Sequence, residues 1–211
     1  MLEDKISAIA GRQSQILGYV DYYKSAVLLP LIKQEGEIFV LFEKRSASLN
    51  IQPGEVCFPG GGIEISDDGA MNAAIRESCE ELGLDPDDIE ILGPLDYFVS
   101  PFNVIVYPFA AYLKNIDKIK PNSDEVEYVF QVPLEYLLNV KPPKARLELK
   151  LILPEGYPYD LIPNGKDYPF RKAKVPQYFY LWNNEVIWGL TARILNHFLG
   201  LLRTQEADTQ D

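Results

Sequence analysis

Two kinds of hydrophobic pattern divide the chain. Residues 25–32 (AVLLPLIK) are apolar almost without interruption, as in a strand covered on both faces, and residues 38–43 (IFVLFE) form a second such run. Gln34-Glu35-Gly36 lies between them and reads as a turn. Residues 55–59 (EVCFP) make a short third strand. Asp67-Asp68-Gly69 then introduces a helix over 70–82, with Gly83 as a left-handed stop and Pro86 shortly beyond. Strand-like runs follow at 89–99 and 104–113, and residues 125–138 (EVEYVFQVPLEYLL) begin acidic and end as a short helix. Strands at 146–153 and 177–182 lead into a last helix over 186–202. The polar tail after it, 203–211, has no hydrophobic face and reads as disordered.

Interleaved strands and helices with hairpin-like spacing predict an α/β fold in which a mixed central sheet is covered by helices on both faces. No repeat or Gly/Ser linker interrupts the chain, so residues 1–211 read as one domain with an ordered core over 25–202. Residues 154–175, rich in Pro, Gly and Tyr, read as an insertion loop, either pinned to the surface by tyrosine packing or lining a pocket.

Charge narrows the partners. Twenty Lys and Arg against thirty-one Asp and Glu leave a net charge of −11, the wrong sign for coating nucleic acid or an anionic membrane. An anionic substrate therefore needs a metal ion or a local basic patch. Cys57 and Cys79 are too few for a disulfide framework or a four-thiolate zinc site. His197 is the single histidine and no Gly-x-Ser-x-Gly elbow occurs, which argues against a Ser/His/Asp hydrolase. Residues 1–15 mix charge with short apolar spacing, unlike a signal peptide, and no run reaches the ~18 apolar residues of a membrane span. A cytoplasmic, reducing setting is the expectation.

The candidate chemistry lies on the helix over 70–82. Glu77, Glu80 and Glu81 stand at i, i+3 and i+4, so three carboxylates share one side of it, while Met71, Ile75, Ser78 and Leu82 form a second stripe suited to packing on the sheet. Such crowding is unfavourable unless a cation is bound, and hard carboxylate oxygens suit Mg²⁺ or Mn²⁺; a solvated acidic face is the alternative. Just upstream, Phe58-Pro59-Gly60-Gly61-Gly62 allows close backbone approach to a metal or a phosphate.

Together, Gly62, Arg76-Glu77, Glu80-Glu81 and Gly83-Leu84 resemble the Nudix box. Seven of its nine fixed positions match, with Asp68 where the box has Glu and Ser78 where it has an aliphatic residue. Leu41-Phe42-Glu43-Lys44-Arg45-Ser46 and Gly54-Glu55-Val56-Cys57-Phe58-Pro59-Gly60-Gly61 resemble the signature of the coenzyme A pyrophosphatase branch of that family, which also tends to carry an acid where Asp67 stands. Asn50 replaces an Arg of the branch pattern and Glu43 replaces a Thr. Ile187-Trp188-Gly189-Leu190-Thr191-Ala192 resembles the last helix of the branch, so the likeness spans most of 25–200.

The resemblance implies a Nudix-like α/β/α sandwich and a metal-dependent diphosphatase. Glu77, Glu80 and Glu81, with the Gly61 carbonyl, would hold Mg²⁺ or Mn²⁺. Arg76 would orient a glutamate, or simply form a surface pair with Glu80. Glu125 would be an extra ligand or general base, with Asp124 and Glu127 as equally acidic neighbours. Lys44, Arg45, Asn50, Gly60, Gly61 and Gly62 would contact the substrate, Arg45 more readily than Lys44 because its planar fork suits phosphate. The implied substrate is a small nucleoside diphosphate derivative, coenzyme A or acyl-CoA first, with release of 3′,5′-ADP and 4′-phosphopantetheine. ADP-ribose or a dinucleotide is the second choice, and a non-catalytic nucleotide sensor a third. Assembly is open, a homodimer among the options.

Overall fold

The computed structural model describes residues 2–208. A short helix α1 (Leu2–Ser7) buries none of its residues. The two apolar runs become β1 (Tyr23–Gln34) and β2 (Glu37–Arg45), an antiparallel hairpin closed by Glu35 and Gly36, both at positive φ as a tight two-residue turn requires. The expected short third strand is β3 (Val56–Cys57). The glycine run is itself a strand, β4 (Gly60–Gly62), antiparallel to β1.

Helix α2 (Ala70–Leu82) has the expected bounds, and Gly83 caps it in the left-handed region. The run at 89–99 is split into β5 (Ile89–Pro94) and β6 (Phe98–Val99), and β7 (Val104–Leu113) follows with the expected bounds. Next come β8 (Val126–Pro133) and α3 (Leu134–Asn139). Strands β9 (Lys144–Leu149) and β10 (Ala173–Tyr178) form a separate two-stranded hairpin around the insertion. In that insertion Tyr157, Tyr159, Tyr168 and Phe170 pack on one another, the surface-loop reading.

The last helix begins later than its hydrophobic run suggests. β11 (Tyr180–Trp182) and β12 (Glu185–Ile187) pair across Asn183-Asn184, with Asn183 at positive φ, and only then does α4 (Gly189–Asp208) start. Residues 203–208, read as a disordered tail, continue α4, and 209–211 lie outside the described residues.

The main sheet runs β3-β2-β1-β7-β5, with β4 on β1, β6 on β7 and β8 on β2. Its β1–β7 pair is parallel and the others are antiparallel, so the sheet is mixed. Side chains of β1 feed two cores. Leu29 and Leu31 join Phe42, Leu137, Leu195 and Leu199 under α3 and α4. Ala26, Leu28 and Ile32 join Leu41, Ala73, Ala74 and Leu82 under α2. Each fully buried leucine contributes about 1.5–3 kcal/mol, which makes β1 the spine of an α/β/α sandwich. The packing stripe of α2 differs from the expected one: Ala73, Ala74, Ser78, Glu81 and Leu82 are buried, and Met71 is exposed. No helix among the described residues is long and apolar enough to cross a membrane.

Candidate active site

A cleft of about 740 Å³ opens over the first residues of β1 and β7 beside β4, lined in part by Arg45, Gln52, Phe58, Gly60, Gly61 and Ile194. Helix α2 lies along β4, and the glycines let it come close. A Cβ on Gly61 would stand 2.4 Å from the Glu77 carboxyl carbon. The Gly60 N–H donates to Glu81 Oε2 at 2.7 Å. The glycine run therefore carries the carboxylates against its own backbone.

Glu77 and Glu81, one turn apart, face this strand. Glu80 points elsewhere: its side chain is 58% exposed and meets Arg76 at 3.4 Å. Among the described residues no three acidic, His or Cys side chains already converge as a metal cluster. Arg76 is the organiser of the helix start. Its Nε and Nη2 donate to the two oxygens of Asp67 at 2.9 and 3.0 Å, Nη2 also donates to the Gly62 carbonyl at 3.0 Å, and Nη1 lies 3.0 Å from Glu77 Oε1. These hydrogen bonds hold the Asp67 carboxyl below its usual range. Asp68 is exposed, and only its carbonyl is engaged, by Asn72. Asp67 thus occupies the Arg-binding position from one residue earlier.

Glu43 on β2, which sequence reasoning passed over, is 1% exposed. Its Oε1 accepts from the Cys57 thiol at 3.1 Å, and its Oε2 is buried with no hydrogen-bond partner. Burial raises the Glu43 pKa, and the Glu125 charge raises it further. Burial, then the Glu43 charge, raises Glu81, and Glu77 is also raised, chiefly by burial. Glu125 repels all three carboxylates, whereas Asp124 and Glu127 are exposed neighbours. Its carbonyl is fixed by the Ser46 N–H at 2.8 Å. The advance signals for Glu43 were its place at the end of the apolar run 38–43 and its standing where the branch pattern has Thr.

Glu43, Glu77, Glu81 and Glu125, one with an orphaned buried oxygen, make a carboxylate-rich donor set without histidine that suits a divalent cation. The sign of the pH effect follows. Native Glu81 and Glu43 hold their protons to higher pH than they do unfolded, so the folded state binds more protons above about pH 4.3. Metal-free protein is therefore expected to lose thermal stability as pH rises from 5 to 9, and millimolar Mg²⁺ to flatten that slope. Unfolding midpoints across this range, with EDTA or Mg²⁺, check it; a slope that Mg²⁺ leaves unchanged would contradict the cation fit.

The basic candidates separate. Lys44 pairs with Glu185 at 2.8 Å, and Tyr128 donates to the same carboxylate at 2.6 Å, so its charge is committed outside the cleft lining. Arg45 lines the cleft, and its Nε is buried with no hydrogen-bond partner. Asn50 is exposed and outside the lining, to which its neighbours Ile51 and Gln52 belong.

The NUDIX domain pattern matches residues 22–155. The chain is 40% identical over 116 residues to the peroxisomal coenzyme A diphosphatase NUDT7 of Mus musculus, covering 55% of this chain and 49% of that protein. It is 35% identical over 178 residues to the mitochondrial Nudix hydrolase 15 of Arabidopsis thaliana, covering 82% and 56%. Over 183 residues it is 32% identical to Nudix hydrolase 3 of Caenorhabditis elegans, covering 84% and 72%. The chain spans about half the length of the first two of these relatives.

Proposed function

Because the chain belongs to the Nudix family, we propose that its cleft hydrolyses the diphosphate bond of a nucleoside diphosphate derivative, with coenzyme A or an acyl-CoA as the substrate. The observation that carries this reading is the close seating of Glu77 and Glu81 against the glycine strand, near Arg45, whose buried Nε has no hydrogen-bond partner. The likeness to a coenzyme A diphosphatase supports the choice of substrate.

Glu77 and Glu81, with the Gly61 carbonyl, would hold Mg²⁺ or Mn²⁺, and Glu80 would join them on leaving its pair with Arg76. Such an ion, when bound, polarises the diphosphate and lowers the pKa of the attacking water. Arg76 keeps Glu77 in place through Asp67 and the Gly62 carbonyl. Glu125 accepts the proton of that water, while Arg45 donates to a phosphate oxygen. Water oxygen bonds to one phosphorus, the bond from that phosphorus to the bridging oxygen breaks, and 3′,5′-ADP and 4′-phosphopantetheine leave. Free Cys57 and Cys79 suit a reducing, cytoplasmic setting.

Incubation of purified protein with coenzyme A and Mg²⁺, followed by mass spectrometry, tests the proposal. Release of 4′-phosphopantetheine by the wild type and not by the Glu80→Gln/Glu81→Gln protein is expected; no release by either would reject coenzyme A and send the same protein to ADP-ribose and dinucleotides. Arg45→Ala is expected to raise KM by about tenfold or more, the worth of a hydrogen bond to a charged group. Lys44→Ala should leave KM within about twofold, since its partner is Glu185. Equal effects of the two substitutions in steady-state kinetics would contradict the assignment of Arg45.

A further inference from the structure

A second cavity, of about 310 Å³, continues the cleft. Gln52, Val104, Gly189 and Leu190 line both. Its own walls are apolar, with Phe98 and Phe102 on the β6 side and Leu147, Leu149 and Val175 from the β9–β10 hairpin. Arg193, also at this cavity, lays its guanidinium over the Phe98 ring at 4.4 Å. The polar groups of the lining are few: Ser100 Oγ already accepts from the Phe102 N–H at 3.1 Å, Gln52 Nε2 donates to Glu55 at 3.2 Å, and Gln177 Oε1 is buried with no hydrogen-bond partner.

These features select among substituents. A ribose or a base is polar around its edge, and most of its hydroxyl or amino groups would lose water against Leu, Val and Phe, where Ser100, Gln52 and Gln177 offer few partners. A bare hydrocarbon tail would leave the Gln177 oxygen as unsatisfied as it is now. An aliphatic arm carrying a secondary amide answers both conditions, since its methylenes cover the walls and its N–H can donate to Gln177.

Resting on the diphosphatase reading above, we propose that this cavity seats an amide-bearing aliphatic arm of the pantetheine class, attached to the diphosphate held in the adjoining cleft. Gln177 then determines specificity by accepting the amide N–H. The β9–β10 hairpin, which joins no strand of the main sheet, is the wall that distinguishes such an arm from a sugar.

The test compares two phosphate monoesters that differ only in their substituent class, 4′-phosphopantetheine and ribose 5-phosphate. Each is titrated calorimetrically with Mg²⁺ into wild type, Gln177→Met and Leu149→Asp. Thermal unfolding establishes that each variant is folded, and coenzyme A turnover is measured in parallel. Gln177→Met is expected to weaken 4′-phosphopantetheine by about tenfold and leave ribose 5-phosphate unchanged. Leu149→Asp should weaken 4′-phosphopantetheine at least as much. Binding of 4′-phosphopantetheine within twofold of wild type in both variants overturns the proposal, as does an equal loss for the two ligands. If wild type fails to turn over coenzyme A yet the selective binding loss appears, the diphosphatase reading fails and the cavity assignment stands. If coenzyme A is hydrolysed and the variants bind as wild type, the reverse holds.

Discussion

Glu81→Gln is expected to fold as the wild type does and to hydrolyse the substrate on the order of a thousandfold more slowly, the rate equivalent of the several kcal/mol that a bound divalent ion contributes to a diphosphate transition state. The amide keeps the shape of the carboxylate and can still accept the Gly60 N–H, so the contact between α2 and β4 survives. What disappears is an ionisable group, 3% exposed, whose charged form burial and the Glu43 carboxylate disfavour. Removing it abolishes that cost in the metal-free protein, whose unfolding midpoint should stay level or rise at pH 8. Activity and stability would thus move apart. Single-turnover rates with thermal unfolding of the same preparation check this, and Glu127→Gln, an exposed acid two residues from Glu125, serves as the unaffected control. A Glu81→Gln protein with near wild-type turnover would remove the carboxylates from the chemistry.

Gly60→Ala should instead lose the fold. Gly60 has φ near +142°, and a Cβ there would sit 2.3 Å from the Ala26 carbonyl oxygen and 2.6 Å from the Val27 Cα, backbone atoms of the central strand that cannot give way. Strain of this kind together with the overlap is worth about 3 kcal/mol or more, a large part of the stability of a typical domain. Gly61→Ala offers the contrast. Its Cβ would meet only the carboxylate end of Glu77, a side chain that can swing aside, so unfolding in urea should change little while turnover falls. Similar urea midpoints for the two variants would show that β4 is not held against β1 as tightly as its register implies.

How much of this was legible beforehand depended on whether a signal was local. Helix α2 could be read to the residue because Gly83 is a strong local stop. The start of α4 could not, because Val186, Ile187 and Trp188 are as compatible with a helix as with a strand, and the deciding feature is the Asn183-Asn184 turn that folds 185–187 back on β11. The three glutamates illustrate the same limit. Their spacing puts them on one side of α2, but about 100° of helix separates Glu80 from Glu81, so packing against β4 buries Glu81 and leaves Glu80 exposed. Glu43 could be noted only as a departure from the branch pattern, because its burial arises when β3 and β8 pair with β2 around it.

The Lys44–Glu185–Tyr128 latch bears on where the folding unit ends. The NUDIX pattern stops at residue 155, yet this latch fastens the hairpin before α4 to β2 and β8, and α4 supplies Leu195, Phe198 and Leu199 to the core over one face of the sheet. A fragment cut at 155 would keep every carboxylate of the site while taking Ala192, Ile194, Leu195, Phe198 and Leu199 out of the core that Leu29, Leu31, Val40 and Phe42 share. Recognisable motif and autonomous domain have different boundaries here, and a truncated protein chosen by the first would be expected to aggregate through the face that the second covers.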